Sequence, residues 1–538
     1  MKKLGLLLLF TSTSLLAQEF TKSDTLLGSN TSFRDFWDVK KYEIKVEANT
    51  NNLSVIGSNK ISFEYTKDVK DPIFQIDLQQ PMEFQIISST AKNPSVKRED
   101  RFIFISQKGN FKKGDKGYFT IGFSGNPTIA KNAPWDGGWV FAKDKKGNPF
   151  ISVAQEGAGT SLWLPLKDTW ADEPDNGMVM TITTPKNLVG VGNGKLIKKE
   201  ELAEKTAYTW EVKNPIGGYS MVPNIGNYVN FKEVYNGENG PLELSYYVLE
   251  ENLEAAKKQF QQVKPMLDAF EYWFGPYPFY QDSYKLVETP YLGMEHQSAV
   301  AYGNKYKNGY LGRDLSGSGV GLLWDFIIIH ETGHEWFANN ITASDKADMW
   351  IHEAFTSYSE TLFTEKYIDK PSSEKYVQGT RANIKNDKPI IGPYGVATSG
   401  SGDMYYKGAN MLHTIRQIVG NDQKFREILR GLNKTFYHQI VTTKDIESYF
   451  IKESGIDLST VFDQYLRTTM IPTLEVEKTN NPSTFKYRYT QIVDGLNLPL
   501  KLQSGKSISP TSTWQTLTLS QGESFEVNPN YYILVKKS

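Results

Sequence analysis

The 538-residue chain contains no cysteine. Disulfides, catalytic thiols and thiolate metal ligands are therefore excluded, and the fold must be held by its core. Charge of one sign is not in excess either, since 60 basic and 61 acidic residues leave a net charge of −1. This balance does not suggest a partner among nucleic acids. Histidine is scarce, with six residues in the chain, so a group of histidines is informative.

Long apolar runs are missing from the body of the chain. The longest, residues 320–329, is interrupted by Asp325 and is too short to cross a bilayer, so no membrane span is predicted in the mature protein. At the N-terminus, two lysines precede an apolar stretch that ends near Ala17. This pattern predicts a secretory signal peptide over residues 1–17, with a signal anchor as the alternative. We therefore expect an exported protein, either periplasmic or extracellular.

Periodicity divides the remaining chain into three regions. Residues 18–231 contain short alternating apolar and polar stretches between turn-forming residues, which predicts a β-rich domain. Residues 232–471 change to helical periodicity, as in ENLEAAKKQF, and predict a mostly helical domain. Residues 472–538 return to alternation and predict a small domain of the β-sandwich type. The expected fold class is a multidomain α+β protein.

Two histidines flank a glutamate in the sequence HETGH. Positions i and i+4 share one face of a helix, so His330 and His334 can bind one metal ion, with Glu331 beside it. Glu353 follows after eighteen intervening residues and adds a third ligand. Three protein ligands leave one coordination position open, which is typical of a catalytic zinc. We predict one zinc ion per chain; the alternative is an amphipathic helix with histidines hydrogen-bonded at the edge of the core.

A second predicted helix, residues 350–367, carries Glu353 and Glu360 on the same face, because they are seven residues apart. Histidines that bind a metal usually donate their other ring N–H to such a carboxylate. We therefore predict that Glu360 fixes one of the ligand histidines. The alternative is a solvated carboxylate on the surface.

Several motifs in order resemble the zinc aminopeptidases of the aminopeptidase N family, gluzincin metallopeptidases that include leukotriene hydrolase. The resemblance covers nearly the whole mature chain. It implies a thermolysin-like catalytic domain and a zinc-dependent aminopeptidase that acts on peptides with a free N-terminus. The motifs are AQEGAGTSLWLPLKDTWADEPD from Ala154, FGPYPF at 274–279, YLGMEH at 291–296, HETGH with Glu353, YYKGA at 405–409, and FDQYLRTTMIPTLEV from Phe462.

The resemblance implies which residues bind the substrate. Glu295, helped by Gln155 and by a second, unassigned glutamate, is expected to bind the α-ammonium group. The backbone of Gly293 and Met294 is expected to hold the peptide in an extended conformation. His296 belongs to the same motif, although most members of the family have asparagine at this position.

The resemblance also implies two catalytic residues. Glu331 is the expected general base for a zinc-activated water, and Tyr405 is the expected donor to the oxyanion. Tyr406 is the competing candidate for the role of Tyr405. The predicted function is that of a secreted zinc metallo-aminopeptidase that hydrolyses N-terminal residues from peptides.

His352, directly before Glu353, is a second departure from the family, which usually has asparagine there. We place it with Glu360 among the residues that support the metal ligands. We expect His296 and His352 to act as neutral, hydrogen-bonding substitutes for an amide. The alternative is that their protonation near pH 6.5 weakens the binding of a cationic substrate.

Two other functions agree with part of the pattern. A thermolysin-like endopeptidase shares the zinc ligands but has no need of Glu295. A catalytically inactive binding protein on the same fold has no need of an intact HETGH motif, Glu353 and Tyr405. The sequence predicts neither the preferred first side chain of the substrate nor an oligomeric state.

Overall fold

The computed structural model describes residues 19–28, 30–520 and 522–538. The predicted signal peptide, residues 1–17, lies outside these ranges. Among the described residues, no helix is both long enough and apolar enough to cross a membrane.

The N-terminal region begins with helix α1 (Lys22–Gly28) and continues as β-sheets. The central strand of the largest sheet, Trp37–Asn49, alternates between buried and less buried residues for most of its length. This alternation gives the strand one face for the core, as the sequence pattern predicts. The seven strands of this sheet are, in spatial order, Lys195–Glu201, Lys205–Val212, Met178–Pro185, Trp37–Asn49, Ser54–Tyr65, Lys116–Gly125 and Glu83–Ser89.

Smaller sheets complete this region, and their buried side chains join the same hydrophobic core. The four-stranded sheet has the order Gly138–Lys143, Pro149–Ala154, Asn224–Gly226 and Val189–Val191. The three-stranded sheet has the order Ile73–Asp77, Phe102–Ser106 and Ser95–Glu99, and Val69–Lys70 pairs with Asn110–Phe111.

The next region contains a five-stranded sheet that the sequence analysis did not predict. Its spatial order is Tyr228–Gly237, Gly240–Leu249, Tyr284–Glu288, Val300–Tyr302 and Gly293–Met294. The first strand crosses residue 231, the predicted domain boundary. Tyr284–Glu288 is buried at every position, so it lacks the alternation that reveals a strand with one exposed face. The edge strand, Gly293–Met294, carries part of the YLGMEH motif.

Helices form the rest of this region. The helix that carries Glu353 spans Trp350–Tyr367, the range that the sequence predicts, and it is buried from its start through Thr364. The helices are α2 (Leu253–Gln259), α3 (Val263–Phe274), α4 (Phe326–Gly333), α5 (Trp350–Tyr367), α6 (Lys370–Gly379), α7 (Tyr406–Val419), α8 (Asp422–Thr435), α9 (Thr443–Ser454) and α10 (Ser459–Leu466), and Ile341–Ala343 pairs with Gln439–Val441.

Two glycines allow these helices to approach closely. A Cβ atom on Gly333 of α4 would lie 2.7 Å from the Ser359 hydroxyl of α5. A Cβ atom on Gly408 of α7 would lie 2.5 Å from the Ala354 Cβ atom, also on α5. Helix α5 is therefore held tightly between α4 and α7, which fixes the positions of the side chains at its buried N-terminal end.

The C-terminal strands pack against the helices in one shared core. Leu474 and Tyr487 of these strands belong to the same buried cluster as Leu412 of α7. Tyr465 of α10 donates a hydrogen bond to the Tyr532 carbonyl. The strands form a four-stranded sheet in the order Gln515–Thr518, Thr484–Thr490, Thr473–Lys478 and Leu534–Lys537, and Leu500–Lys501 pairs with Ser507–Ile508.

Candidate active site

Three buried side chains converge where α4 meets α5. His330 lies on α4, His334 directly follows the last residue of that helix, and Glu353 lies in the first turn of α5. The Glu353 Oε2 atom is 3.7 Å from His330 Nε2 and 3.5 Å from His334 Nε2. One ligand atom from each residue lies within 4.8 Å of the others. At the buried N-terminus of α4, the Asp325 side chain accepts hydrogen bonds from the Ile327 and Ile328 amides. This cap sets the orientation of the helix.

The donor set fits a zinc ion. His330 Nδ1 is 2.7 Å from Glu360 Oε1, and His334 Nδ1 is 3.0 Å from the Phe337 carbonyl. Both histidines can therefore donate through Nδ1, which leaves each Nε2 as a free lone pair that points to the same place. Glu353 Oε2 is buried without a hydrogen-bond partner. Two imidazoles and a carboxylate are ligands typical of a catalytic zinc site.

Glu360 is itself fixed by a second contact. Its other carboxylate oxygen accepts a hydrogen bond of 2.6 Å from the Tyr376 hydroxyl of α6. The hydrogen bonds from Tyr376 to Glu360 and from Glu360 to His330 therefore hold the imidazole ring of His330 in one orientation. The surface position that we considered as the alternative for Glu360 does not occur, because the residue is 1% exposed.

A cavity of about 360 Å³ adjoins these ligands. Its wall contains Gly293, Met294 and Glu295 of the YLGMEH motif and Glu331 of the HETGH motif. A Cβ atom on Gly293 would lie 2.8 Å from Ile327 and 3.0 Å from Glu331 Oε1, so only glycine fits here without displacing its neighbours. The motifs that the sequence places far apart thus form one surface.

The cavity concentrates buried carboxylates. Burial and the charges of Glu331 and Glu353 raise the pKa of Glu295 well above its usual value. Burial likewise raises the pKa of Glu331 to about 8, with a further contribution from Glu353 that opposes the effect of His330. Burial alone would lower the pKa of His330, yet Glu353 and Glu360 raise it. The cavity therefore attracts positive charge.

Gln155 does not face the cavity, which corrects its predicted role in binding the substrate. Its amide donates to the carbonyls of Tyr219 and Met221, and its oxygen accepts from the Trp163 indole. These three bonds use the side chain within the N-terminal core. The next residue, Glu156, lines the cavity, and its Oε1 atom is buried without a partner. The sequence predicted Gln155 at the cavity, whereas the structure places the next residue, Glu156, there. The strand ends at Ala154, so alternation no longer fixes the direction of the side chains that follow.

His296 does not line the cavity either, although it directly follows Glu295. It is fully buried, and neither ring nitrogen has a hydrogen-bond partner among the described residues. Burial lowers its pKa to about 3. The role in substrate binding is therefore corrected: His296 is a neutral side chain of the core that lies behind the motif.

His352 forms no hydrogen bond to a metal ligand among the residues that the structure describes. Its Nε2 atom accepts from the Ala343 amide at 2.8 Å, and its ring stacks on Trp170 with centroids 4.9 Å apart. Burial lowers its pKa to about 3. Its contacts therefore hold the start of α5 against the N-terminal region, and neither His352 nor His296 has the pKa near 6.5 that the protonation alternative requires.

Both tyrosines of the YYKGA motif line the cavity. The ring of Tyr405 is stacked near that of His330, with centroids 6.1 Å apart. Burial and the Glu353 charge raise the pKa of Tyr405, so its phenol stays protonated and can donate a hydrogen bond. Burial and the charge of Glu360 raise the pKa of Tyr406. Tyr405 is therefore the tyrosine that faces the metal ligands.

Trp135 is a lining residue that no motif revealed. It lies at the edge of the cavity and is 63% exposed. The neighbouring Asp136 accepts from the amides of Lys131 and Asn132, which fixes the turn that carries the tryptophan. An isolated aromatic residue in a polar loop gives no signal in one sequence, so only the fold reveals that Trp135 borders the site.

Comparison with known proteins identifies the class. Residues 258–465 match the family model described as "Peptidase family M1 domain". Probable aminopeptidase 1 of Sulfurisphaera tokodaii is 21% identical over 474 residues, which are 84% of this chain and 56% of that protein. Human glutamyl aminopeptidase is 22% identical over 332 residues, or 58% of this chain and 33% of that protein. The chain thus spans about half the length, or less, of these curated relatives.

Solved structures share the fold. A two-domain M1 zinc metallopeptidase mutant, determined with bound L-tryptophan, superposes with a TM-score of 0.69 at 17% identity and covers 83% of this chain and 96% of its own. This chain therefore has the fold of those metallopeptidases, and three potential zinc ligands converge within it. Residues 258–465 match the peptidase family M1 domain, and this match supports the resemblance to the aminopeptidase N family.

Replacing Glu360 tests the support of the first ligand. Glu360→Gln should weaken zinc binding roughly 10–100-fold, because the charged acceptor for His330 is lost. Competition with a chromophoric chelator measures this change. Glu365→Gln is the control, since Glu365 lies on the same helix but pairs with Arg416. Equal zinc affinity of the Glu360 variant and the wild-type protein would contradict the assignment.

The buried, neutral His296 makes a prediction about acid stability. An unfolded histidine takes up a proton near pH 6.5, whereas folded His296 does so near pH 3. The lowered pKa of folded His296 costs the protein no stability above pH 6.5. As the pH falls below 6.5, the free energy of unfolding decreases, because the unfolded state then binds more protons than the folded state. Between pH 7.5 and 4.5, metal-free wild-type protein should lose about 2–3 kcal/mol more stability than His296→Asn, as measured by urea unfolding. Equal losses would show that His296 titrates normally.

Proposed function

We propose that the protein is a zinc-dependent aminopeptidase that removes N-terminal residues from peptides. The observation that carries this proposal is the position of two unpartnered carboxylates, Glu156 and Glu295, beside a set of zinc ligands in one cavity. An exopeptidase has to recognise a free α-ammonium group and hold the first peptide bond at its catalytic centre. The names of the relatives, which are aminopeptidases, support the same conclusion.

Recognition of the ammonium group follows from charge and burial. The Oε1 atoms of Glu156 and Glu295 are both buried without hydrogen-bond partners. The carboxylates repel each other, which adds to the burial that raises the pKa of Glu156. A primary ammonium group offers three donors and a positive charge, so it satisfies both oxygens and relieves the repulsion. We therefore assign the substrate N-terminus to these two residues.

The peptide backbone is expected to bind along Gly293–Met294. This two-residue strand is the last in its sheet, so one edge is paired with Val300–Tyr302 and the other is available. An extended substrate can add to such an edge by main-chain hydrogen bonds, which place it without requiring a particular side-chain sequence. Gly293 lets the substrate approach Glu331 closely.

His330, His334 and Glu353 would hold one zinc ion per chain. When bound there, zinc polarises the scissile carbonyl and makes water acidic enough to be deprotonated near neutral pH. Glu331 has a pKa raised by burial to about 8, which suits a group that accepts a proton and returns it. We assign to Glu331 the transfer of the proton from the attacking water to the leaving amine.

Tyr405 is assigned to the oxyanion that develops on the scissile carbonyl. Its phenol stays neutral because burial and the carboxylates raise its pKa, and it faces the metal ligands across the ring of His330. A donor placed in a buried site stabilises developing negative charge more than it stabilises the neutral carbonyl.

Export to the periplasm or beyond the cell completes the proposal, and it is supported by the sequence pattern of residues 1–17.

N-terminal blocking tests the class of peptidase. A peptide with a free N-terminus should be cleaved one residue at a time, whereas its N-acetylated form should resist cleavage because it cannot offer an ammonium group to Glu156 and Glu295. Mass spectrometry of the two digests measures this difference. Cleavage of the free peptide should stop with a chelator and return with zinc. Efficient internal cleavage of the acetylated peptide would instead identify a thermolysin-like endopeptidase.

Phenylalanine variants of Tyr405 and Tyr406 distinguish a catalytic role from a supporting one. Tyr405→Phe should lower kcat about 10²–10³-fold with little change in KM, because it removes a donor used in the transition state. Tyr406→Phe is the matched control and should retain most of the activity. Steady-state kinetics with an aminoacyl coumarin amide measure both. If Tyr406→Phe loses activity and Tyr405→Phe retains it, the assignment is wrong.

A further inference from the structure

A turn directly after the second potential zinc ligand, His334, carries Asn339 towards the carboxylates to which we assign the substrate's ammonium group. Asn339 is 2% exposed and does not line the cavity, whereas Glu156 and Glu295 do. The function proposed above gives this buried amide no role. Its hydrogen bonds, however, lead to every part of the site.

The side chain of Asn339 joins two segments that lie far apart in the sequence. Its Nδ2 atom donates to the Glu295 carbonyl at 2.9 Å, and its Oδ1 atom accepts from the Ser220 hydroxyl at 3.1 Å. Glu295 belongs to the region that contains the zinc ligands, and the buried Ser220 belongs to the N-terminal region. One amide therefore connects the two parts of the structure that supply the carboxylates.

Ser220 is connected to the second carboxylate through the residues on either side of it. The carbonyls of Tyr219 and Met221 accept from the Gln155 side-chain amide at 3.0 and 2.9 Å. Gln155 directly precedes Glu156 in the chain. A displacement of the segment around Ser220 would therefore move Gln155 and, with it, the backbone from which Glu156 reaches the cavity.

A second buried asparagine strengthens this connection. Asn193 donates through Nδ2 to the Ser220 carbonyl at 2.8 Å and to the Gln297 carbonyl at 2.7 Å. Gln297 lies two residues after Glu295. The segments that carry the two carboxylates are thus joined at Asn193 as well as at Asn339, and Asn339 adds a link to the metal ligands.

That link is the turn from which Asn339 projects. The backbone amide of Asn339 donates to the carbonyl of His334 at 3.0 Å. The preceding residue, Ala338, has a φ angle of 138°, which L residues rarely adopt. Its carbonyl accepts from the Thr342 hydroxyl at 2.6 Å. A backbone conformation held against its own preference is typical of functional positions, and here it directs Asn339 towards Glu295.

We propose that Asn339 is a positioning residue, which sets the places of Glu156 and Glu295 relative to each other and to the metal ligands. This role rests on the proposed function, since it requires that the two carboxylates bind the substrate's ammonium group. That group needs both carboxylates at the same time, and a displacement of about 1 Å is enough to lose much of a well-oriented interaction. Asn339 acts on the substrate only through the residues that it holds.

Two hydroxamates isolate the contribution of the ammonium group. L-Alanine hydroxamate and propionohydroxamate carry the same zinc-binding group, and only the first has an amine. With the full-length, zinc-loaded wild-type protein, calorimetry should show a roughly tenfold or greater preference for the amine, as expected for hydrogen bonds between charged groups. In Asn339→Ala this preference should fall below about threefold, while the Kd of propionohydroxamate changes less than about twofold. With an aminoacyl coumarin amide, the variant should raise KM more than it lowers kcat.

The neighbouring Asn340 provides a matched control. It is 1% exposed, donates to the Asn433 side-chain carbonyl at 3.2 Å and accepts from the His438 amide at 2.9 Å. Asn340→Ala therefore removes the same kind of buried amide with the same number of hydrogen bonds, on contacts that lead away from the cavity. It should lower the urea midpoint about as much as Asn339→Ala does and should retain the wild-type preference for the amine.

The outcomes separate a positioning role from a structural one. A wild-type preference in Asn339→Ala, or an equal loss in Asn340→Ala, would overturn the proposal and leave the aminopeptidase function intact. Equal binding of both hydroxamates by the wild-type protein would refute ammonium recognition itself, and the role of Asn339 with it. If Asn339→Ala does not fold, Asn339→Ser is measured in the same way, since its shorter side chain does not span the distance from Ser220 to Glu295.

Discussion

The site depends on the repulsion between buried carboxylates. Glu156, Glu295, Glu331 and Glu353 line one cavity, and the last three of them are buried. Four negative charges in such a space are unfavourable unless cations are bound among them. In the proposed function, these cations would be a divalent metal at Glu353 and a substrate ammonium group at Glu156 and Glu295. Burial, with the repulsion between these carboxylates added to it, raises the pKa of Glu331 and Glu295 and favours the binding of cations in the cavity.

The surrounding fold keeps this unfavourable arrangement in place. Helix α5 cannot move away from α4 or α7, because Gly333 and Gly408 bring the backbones into close contact at Ser359 and Ala354. The chain of hydrogen bonds from Tyr376 through Glu360 to His330 fixes the first ligand. The N-terminal region contributes Glu156 to the cavity directly, so the proposed substrate site requires both parts of the structure.

The sequence predicted the parts of the site that lie on regular helices. The spacing of His330, His334, Glu353 and Glu360 is read directly from helical geometry, and α5 has the predicted bounds. Prediction failed where no periodicity applies. Gln155 and Glu156 follow the end of a strand, so their directions depend on a tertiary contact with Trp163. The five-stranded sheet was missed because its inner strands are short or buried on both faces.

The metal position is the most direct test of this account. Anomalous X-ray scattering at the zinc edge, on crystals grown without chelator, should show one peak that contacts His330 Nε2, His334 Nε2 and a Glu353 oxygen. A second group of potential ligands, Glu295, Glu331 and His334, lies within the same cavity. A peak between those three residues, or no zinc in the cavity at all, would contradict the assignment of Glu295 to the substrate and of Glu331 to proton transfer.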